Sequence, residues 1–271
     1  MRMWTALVFL VSFAYQSKAN NILILAPLGS WSESQIFRAL ADTLAAVGHH
    51  VTLVTGFEPR KESPVTEIFA GSSSLEDKNI FELKMMNIIT YLGESQKIVC
   101  KKMYENKDIL NIWKNRNDFD AIVVPILLNE FSAPFLINYN GTYIGLVTVG
   151  IEANQIGFQG NRLPRSVTPH VLLNFDENMN FFERAFNLVF EHIMGCLYEY
   201  VMVGQLQTQM EKSFPGMPSF TELMDIYTNY SLLLINSHFA MDGSYPLLPN
   251  QVEIGTITAR LPQPIPKQLH M

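Results

Sequence analysis

Short, nearly continuous apolar runs alternate along this chain with stretches whose apolar residues recur every three to four positions. The first run is Asn21 to Ala26, NILILA, ended by Pro27 and Gly29. Ile36, Phe37, Leu40, Leu44 and Val47 then repeat at helical spacing, with Arg38 and Asp42 on the opposite face. Ser30-Trp31-Ser32-Glu33 has the form of a capping box at that helix's start, and Gly48 closes it. His50 to Thr55, HVTLVT, is the next predicted strand. A strand, helix and strand within about 35 residues predict a parallel pair joined by a right-handed crossover. Further strands are expected at 121–124, 143–148, 230–236 and 252–257. Strands apolar on both sides, alternating with helices, indicate an α/β fold: a Rossmann-like parallel sheet with helices on both faces.

Residues 177–213 form the longest predicted helical stretch, with Phe181, Phe182, Ala185, Phe186, Val189, Phe190, Ile193, Met194 and Leu197 as its apolar positions. Glu183, Arg184, Asn187 and Glu191 fall between them. A helix packed on the core, or forming the wall of a hydrophobic pocket, is expected from so broad an aromatic stripe; a membrane-surface helix would carry a more basic polar face. Alternating prolines in Leu261 to Lys267 favour an extended connector.

The amino terminus adds an address. Met1 to Trp4 carries one positive charge, Thr5 to Tyr15 none, and Ser17 and Ala19 are small residues placed for cleavage before Asn20. This is the form of a secretory signal peptide and is short of the roughly 20 apolar residues that span a bilayer. The sequons Asn140-Gly141-Thr142 and Asn229-Tyr230-Ser231 agree with a secreted or endoplasmic reticulum luminal location. Cys100 and Cys196 could form one disulfide or remain free thiols.

Composition narrows the function classes. The 271 residues are 48% hydrophobic and 16% charged, enough apolar material to exclude a disordered chain. A formal charge of −6 argues against nucleic acid as a partner. The six histidines and two cysteines lie at no recognised metal spacing, so no metal is expected. No phosphate-binding glycine loop, nucleophile elbow or zinc-protease motif occurs. Ligands of open α/β sheets bind beyond the carboxyl ends of the strands. That rule selects the loop after the first strand, 27–34, and the loop that follows Pro125 through Asn129 and Glu130.

Seven segments, in this order and spacing, carry a family resemblance: NILILAPLGSWSESQ, LAAVGHHVTLVTGFEP, FDAIVVPILLNE, SVTPHVLLNFDENMNFFERAFN, FPGMPSF, LLLINSHFAMD and PLLPNQVEIGTI. The chain resembles the amino-terminal half of a UDP-glycosyltransferase of the animal detoxification type, similar to UDP-glucuronosyltransferases. The resemblance implies a signal peptide at 1–19, an acceptor-binding Rossmann-like domain at 20–260 and an interdomain linker at 261–271. It implies the first half of a two-domain GT-B fold. The amino-terminal half of that fold binds a small lipophilic, hydroxyl-bearing acceptor, and a carboxyl-terminal half binds the UDP-sugar. In this sequence that donor half and the family's membrane span are not present. A UDP-sugar co-substrate therefore calls for a further domain or a separate donor-domain chain, and the chain itself holds no cofactor.

Under this resemblance Ser30, Trp31, Ser32, Asn129, Glu130, Phe182 and Phe186 are the acceptor-binding candidates. The family places a catalytic His 15 residues before the Gly of a Gly-His turn; counting back from Gly48 lands on Glu33. The family's paired acid would follow FDAIVV, where this chain has Pro125. Both members of the dyad are thus expected to be replaced. Glu33 is the candidate base, but its position as third residue of a capped helix explains it without catalysis, and that structural reading is preferred. Glu130, five residues beyond Pro125, is a weak candidate to replace the acid. The two functions that follow are a glycosyltransferase acceptor half, inactive alone, and a non-catalytic binding module for lipophilic ligands.

Overall fold

A computed structural model describes residues 19–71, 85–149, 160–161, 163–170, 172–176, 178–198, 204–214, 217–243 and 245–259. The apolar segment expected as part of a signal peptide and the proline-rich end lie outside these residues. Strands β1 (Asn21–Ala26), β2 (His50–Thr55), β3 (Thr66–Phe69), β4 (Ala121–Pro125), β5 (Thr142–Val147), β6 (Leu232–Ile235) and β7 (Gln251–Glu253) form one sheet. Its order is β3-β2-β1-β4-β5-β6-β7, and every neighbouring pair is parallel. The strands expected from the sequence are all present with ends shifted by a few residues. The edge strand β3 was not anticipated.

Successive side chains of a strand face opposite sides of the sheet, and β1 divides accordingly. Ile22, Ile24 and Ala26 pack with Ile36, Phe37, Leu40 and Ala41 of helix α1 (Trp31–Ala46). Leu23 and Leu25 belong to a second core on the other face. That core takes in Val99, Cys100 and Met103 of α2 (Met85–Glu105) and Ile109 of α3 (Lys107–Lys114). It also contains Phe131 and Phe135 from a 3-10 segment, Glu130–Leu136. Each face of the sheet is therefore covered, as the apolar strands require.

Helix α4 (Phe181–Leu197) departs from expectation. Among its described residues only Asn187 is buried, while Phe181, Phe182 and Phe186 are 77%, 80% and 53% exposed. Asn187 anchors the helix by polar bonds: its amide nitrogen donates to the carbonyls of Arg165 and Thr168, and its Oδ1 accepts from the His170 amide. The apolar stripe thus faces outward, correcting the expectation of a core-packed helix. Two shorter helices, α5 (Gly204–Ser213) and α6 (Phe220–Thr228), contribute Leu206, Met210, Leu223 and Tyr227 to the core.

The disulfide alternative is also corrected. Cys100 is buried beneath the sheet on α2 and Cys196 is exposed on α4, and both are free thiols. Burial pushes the Cys100 thiol up to about 12, so it remains protonated. Both sequon asparagines, Asn140 and Asn229, sit at exposed positions.

An ion cluster fixes the β3 edge to α1. The Glu67 side chain, 1% exposed, meets Arg38 at 3.2 Å and also bonds Arg60. Arg60 in turn holds Asp42 of α1 through two contacts of 2.7 Å. Removing one partner of a buried pair costs far more than the pair contributes, because the other charge stays buried. Glu67→Ala, which strands Arg38, is expected to lower unfolding free energy by about 3 kcal/mol in urea titration; a loss below about 1 kcal/mol would show that the cluster does not hold this edge.

Candidate functional site at the carboxyl edge of the sheet

In this strand order the connections leave β1 in opposite directions, toward β2 on one side and from β4 on the other. The loops after β1 and β4 flank this switch point, the place where open α/β sheets form the crevice that takes ligands. Residues 27–30 form one wall and residues 126–129 the other.

The first wall leads into α1. Ser30 is the N-cap; its Oγ accepts from the Glu33 amide at 3.3 Å, and the Glu33 carboxylate accepts from the Ser30 amide at 2.8 Å. The capping box read from the sequence is therefore closed. Ser30 Oγ also donates to Glu33 Oε2 at 3.1 Å, while Thr148, just past β5, donates to Glu33 Oε1 at 2.8 Å. Glu33 has both oxygens engaged, one by the cap and one by the neighbouring strand's end. These bonds tie the loop after β1 to the start of α1 and to the end of β5. Ser32 is exposed, with its hydroxyl 2.9 Å from that of Ser30. Trp31 stands half-exposed, edge-on to Phe57 at 5.3 Å, with the Arg38 guanidinium 5.2 Å from its ring.

The second wall begins where Pro125 ends β4. Pro125 supplies its carbonyl, which accepts from the Tyr227 hydroxyl at 2.5 Å, and Tyr143 donates to the Tyr227 carbonyl at 2.7 Å. Leu128 adopts a left-handed conformation, φ 60°, unusual for a residue with a branched side chain. This twist turns Asn129 inward. The Asn129 amide nitrogen donates to Leu28 across the crevice at 3.3 Å and to Leu127 at 3.0 Å.

Glu130 follows, 4% exposed, and accepts from Gln96 of α2 and from the Tyr198 hydroxyl at the end of α4. Burial raises the Glu130 carboxyl to about 7 against its ordinary 4.5, the Gln96 bond opposing only part of the shift. A carboxyl that titrates near neutrality beside a crevice can bind or release a proton at working pH. Gln96 Oε1 is buried without a partner. Rotation of that amide by 180° would let it accept from protonated Glu130, so both ionisation states can be bonded.

The structure places Ser30, Trp31, Ser32 and Glu33 at the loop after β1 and Asn129 and Glu130 at the loop after β4, with the Asn129–Leu28 bond joining the two loops. Phe182 and Phe186 are instead exposed on α4, Phe182 edge-on to Phe181, and Phe186 stacked on Phe190 and edge-on to Phe175. Three contributors escaped the sequence reading. Thr148 could have been found as the residue ending YIGLVT at the same sheet edge. Gln96 and Tyr198, lying mid-helix and at a helix end, carry no local signal. A separate surface cleft of about 270 Å3 lies between α5 and the start of α6, lined by Met210, Phe214, Met217 and Phe220. Among the described residues no cluster of three or more metal-ligating side chains occurs, and no helix is long and apolar enough to cross a membrane.

Residues 42–271 match the family described as UDP-glucoronosyl and UDP-glucosyl transferase. The chain belongs to that family. It is 29% identical over 266 residues to UDP-glucosyltransferase 2 of Dactylopius coccus, covering 93% of this chain and 50% of that protein. It is 21% identical to UDP-glucuronosyltransferase 1A7 of Homo sapiens, covering 93% of this chain and 44% of the relative. A solved structure titled as the glycotransferase of kitacinnamycin aligns with a TM-score of 0.41 at 12% identity, over 81% of this chain and 46% of that one. The chain spans about half the length of the curated relatives it matches.

The raised Glu130 carboxyl gives a pH signature. Because the folded state holds the proton more tightly than the unfolded chain, stability is greatest below pH 4.5 and declines as pH rises toward 7. Glu130→Gln removes the charge, and its amide can pair with a rotated Gln96. The variant is expected to be more stable than the parent at pH 8 by up to about 3 kcal/mol, with the advantage shrinking toward pH 5. Urea unfolding at the two pH values measures this; an advantage that does not change with pH would mean Glu130 is not held out of solvent.

Proposed function

We propose that this chain is the acceptor-binding half of a UDP-glycosyltransferase. In this reading the crevice between the β1 and β4 loops seats a small lipophilic molecule bearing a hydroxyl. The hydroxyl oxygen bonds to the anomeric carbon of a hexosyl group, the bond from that carbon to UDP breaks, and the hydroxyl proton passes to a base. The UDP-sugar is a co-substrate held by residues outside this chain, in the facing domain of a GT-B arrangement or on a separate polypeptide. Family membership over residues 42–271, joined to the switch point between β1 and β4, is the observation that carries this reading. The signal-peptide pattern and the exposed sequons support assignment to the secretory pathway, in the endoplasmic reticulum lumen or secreted.

Glu33 enters as a loop-holding residue. It stands where the resemblance expects the base, yet its carboxylate accepts from three donors. That occupancy favours a second reading, in which the chain binds lipophilic ligands without transferring sugar to them. The two share the crevice and differ in turnover.

Both are tested with the purified chain and 1-naphthol. Calorimetric titration is expected to show binding, while incubation with UDP-glucose or UDP-glucuronate yields no naphthyl glycoside. Turnover by this chain alone overturns the acceptor-half reading. Absence of naphthol binding removes both.

A further inference from the structure

We infer that Asn129 receives the hydroxyl of the bound molecule, its Oδ1 accepting the hydroxyl hydrogen and thereby selecting hydroxyl-bearing ligands over apolar ones of the same shape. This rests on the acceptor-site reading above and assigns the polar anchor within it.

Asn129 is 2% exposed and reaches from the loop after β4 to the loop after β1. Its side-chain orientation is not arbitrary. The amide nitrogen donates to two carbonyls, those of Leu28 and Leu127. A rotated amide would set its oxygen against both carbonyl oxygens, so the bonding pattern identifies which atom is which. The remaining atom, Oδ1, is buried and has no partner. It is an acceptor and cannot be satisfied by another carbonyl or carboxylate; it calls for a donor.

The surroundings point the same way. Ser132, wholly buried one turn on, has an unpartnered hydroxyl, and Gln96 Oε1 is likewise unpartnered beside Glu130. Rotation toward Glu130 accounts for the Gln96 atom, which leaves Asn129 Oδ1 and the Ser132 hydroxyl as the unpartnered buried atoms beside this loop. An unsatisfied buried polar group ordinarily costs about 1–3 kcal/mol, a cost that a donor on the bound molecule removes at Asn129. The left-handed backbone at Leu128 fits this assignment, since it is the turn that carries Asn129 inward.

Asn129 is a positioning residue here. With the hydroxyl hydrogen directed to Oδ1, both lone pairs of the hydroxyl oxygen remain available toward a sugar donor. The nearby Glu130 carboxyl is paired with Gln96 and Tyr198 and plays no part in recognising the hydroxyl.

The test compares 1-naphthol with 1-fluoronaphthalene, which has nearly the same shape and no donor. Calorimetric titration of the purified chain is expected to show 1-naphthol binding about five- to tenfold more tightly, the range of one neutral hydrogen bond. Asn129→Leu is expected to bring that ratio to about one while leaving 1-fluoronaphthalene affinity within about twofold. Because the Asn129 amide also ties the two loops, the variant can fail to fold, and a second measurement needs no substitution. In nitrogen-15 spectra of the parent chain, the Asn129 side-chain amide pair should shift with 1-naphthol and stay in place with 1-fluoronaphthalene. Equal affinity for both probes, or identical shifts, overturns the role of Asn129 and leaves the lipophilic site standing. Failure of both probes to bind removes the acceptor-site reading and this assignment with it.

Discussion

Strand β1 pairs in parallel with β2 on one side and with β4 on the other, and the remaining architecture follows from that central position. Parallel neighbours cannot be joined by a tight hairpin, so each connection must cross a face of the sheet and return. Right-handed crossovers leaving β1 toward β2 and arriving at β4 cover opposite faces. The loops that follow β1 and β4 at the carboxyl edge then lead to opposite faces, and the Asn129–Leu28 bond bridges them.

The energetics divide along the same line. Below the crevice, β1 is buried on both faces, and Leu23, Ile24 and Leu25 are fully removed from solvent. Burial of such side chains contributes roughly 1.5–3 kcal/mol each, so the sheet centre is the least negotiable part of the molecule. At the crevice the terms change sign. Glu130 is ionisable and desolvated, Leu128 is left-handed, and polar atoms of Gln96, Asn129 and Ser132 lack partners. Such costs can be carried because the sheet beneath is over-determined by packing, and functional sites are where folds characteristically carry them. Helix α4 is a third case, held by the buried amide of Asn187 while its aromatic residues face outward.

Particular residues show what was legible beforehand. The box of Ser30 and Glu33 could be read because both partners lie three positions apart and the pattern is local. The structure adds Thr148, from 115 positions away, as the third donor to Glu33. Helix α2 was missed because its buried face includes Gly93, Ser95 and Gln96, which break the apolar period. Strand β3 was missed because four half-buried or exposed residues at a sheet edge carry no alternation, and because Glu67 is satisfied by arginines remote in sequence. Helix α4 was misread in the opposite sense: helical periodicity identified the stripe correctly, but periodicity states which residues share a face and not what that face meets.

By itself the sequence determined the alternation of strands and helices, the covered parallel sheet, the first helix cap and membership of a glycosyltransferase family. These depend on neighbours within about a turn or a strand, or on the order of many short segments. Only the tertiary structure decided the strand order, the burial and raised pKa of Glu130, the separation of Cys100 from Cys196, the outward face of α4 and the bridge from Asn129 to Leu28. The reason is physical. Propensity and periodicity act between residues a few positions apart, whereas desolvation and hydrogen-bond satisfaction depend on whatever the fold brings within a few ångströms, such as Leu28 and Asn129 across 101 positions.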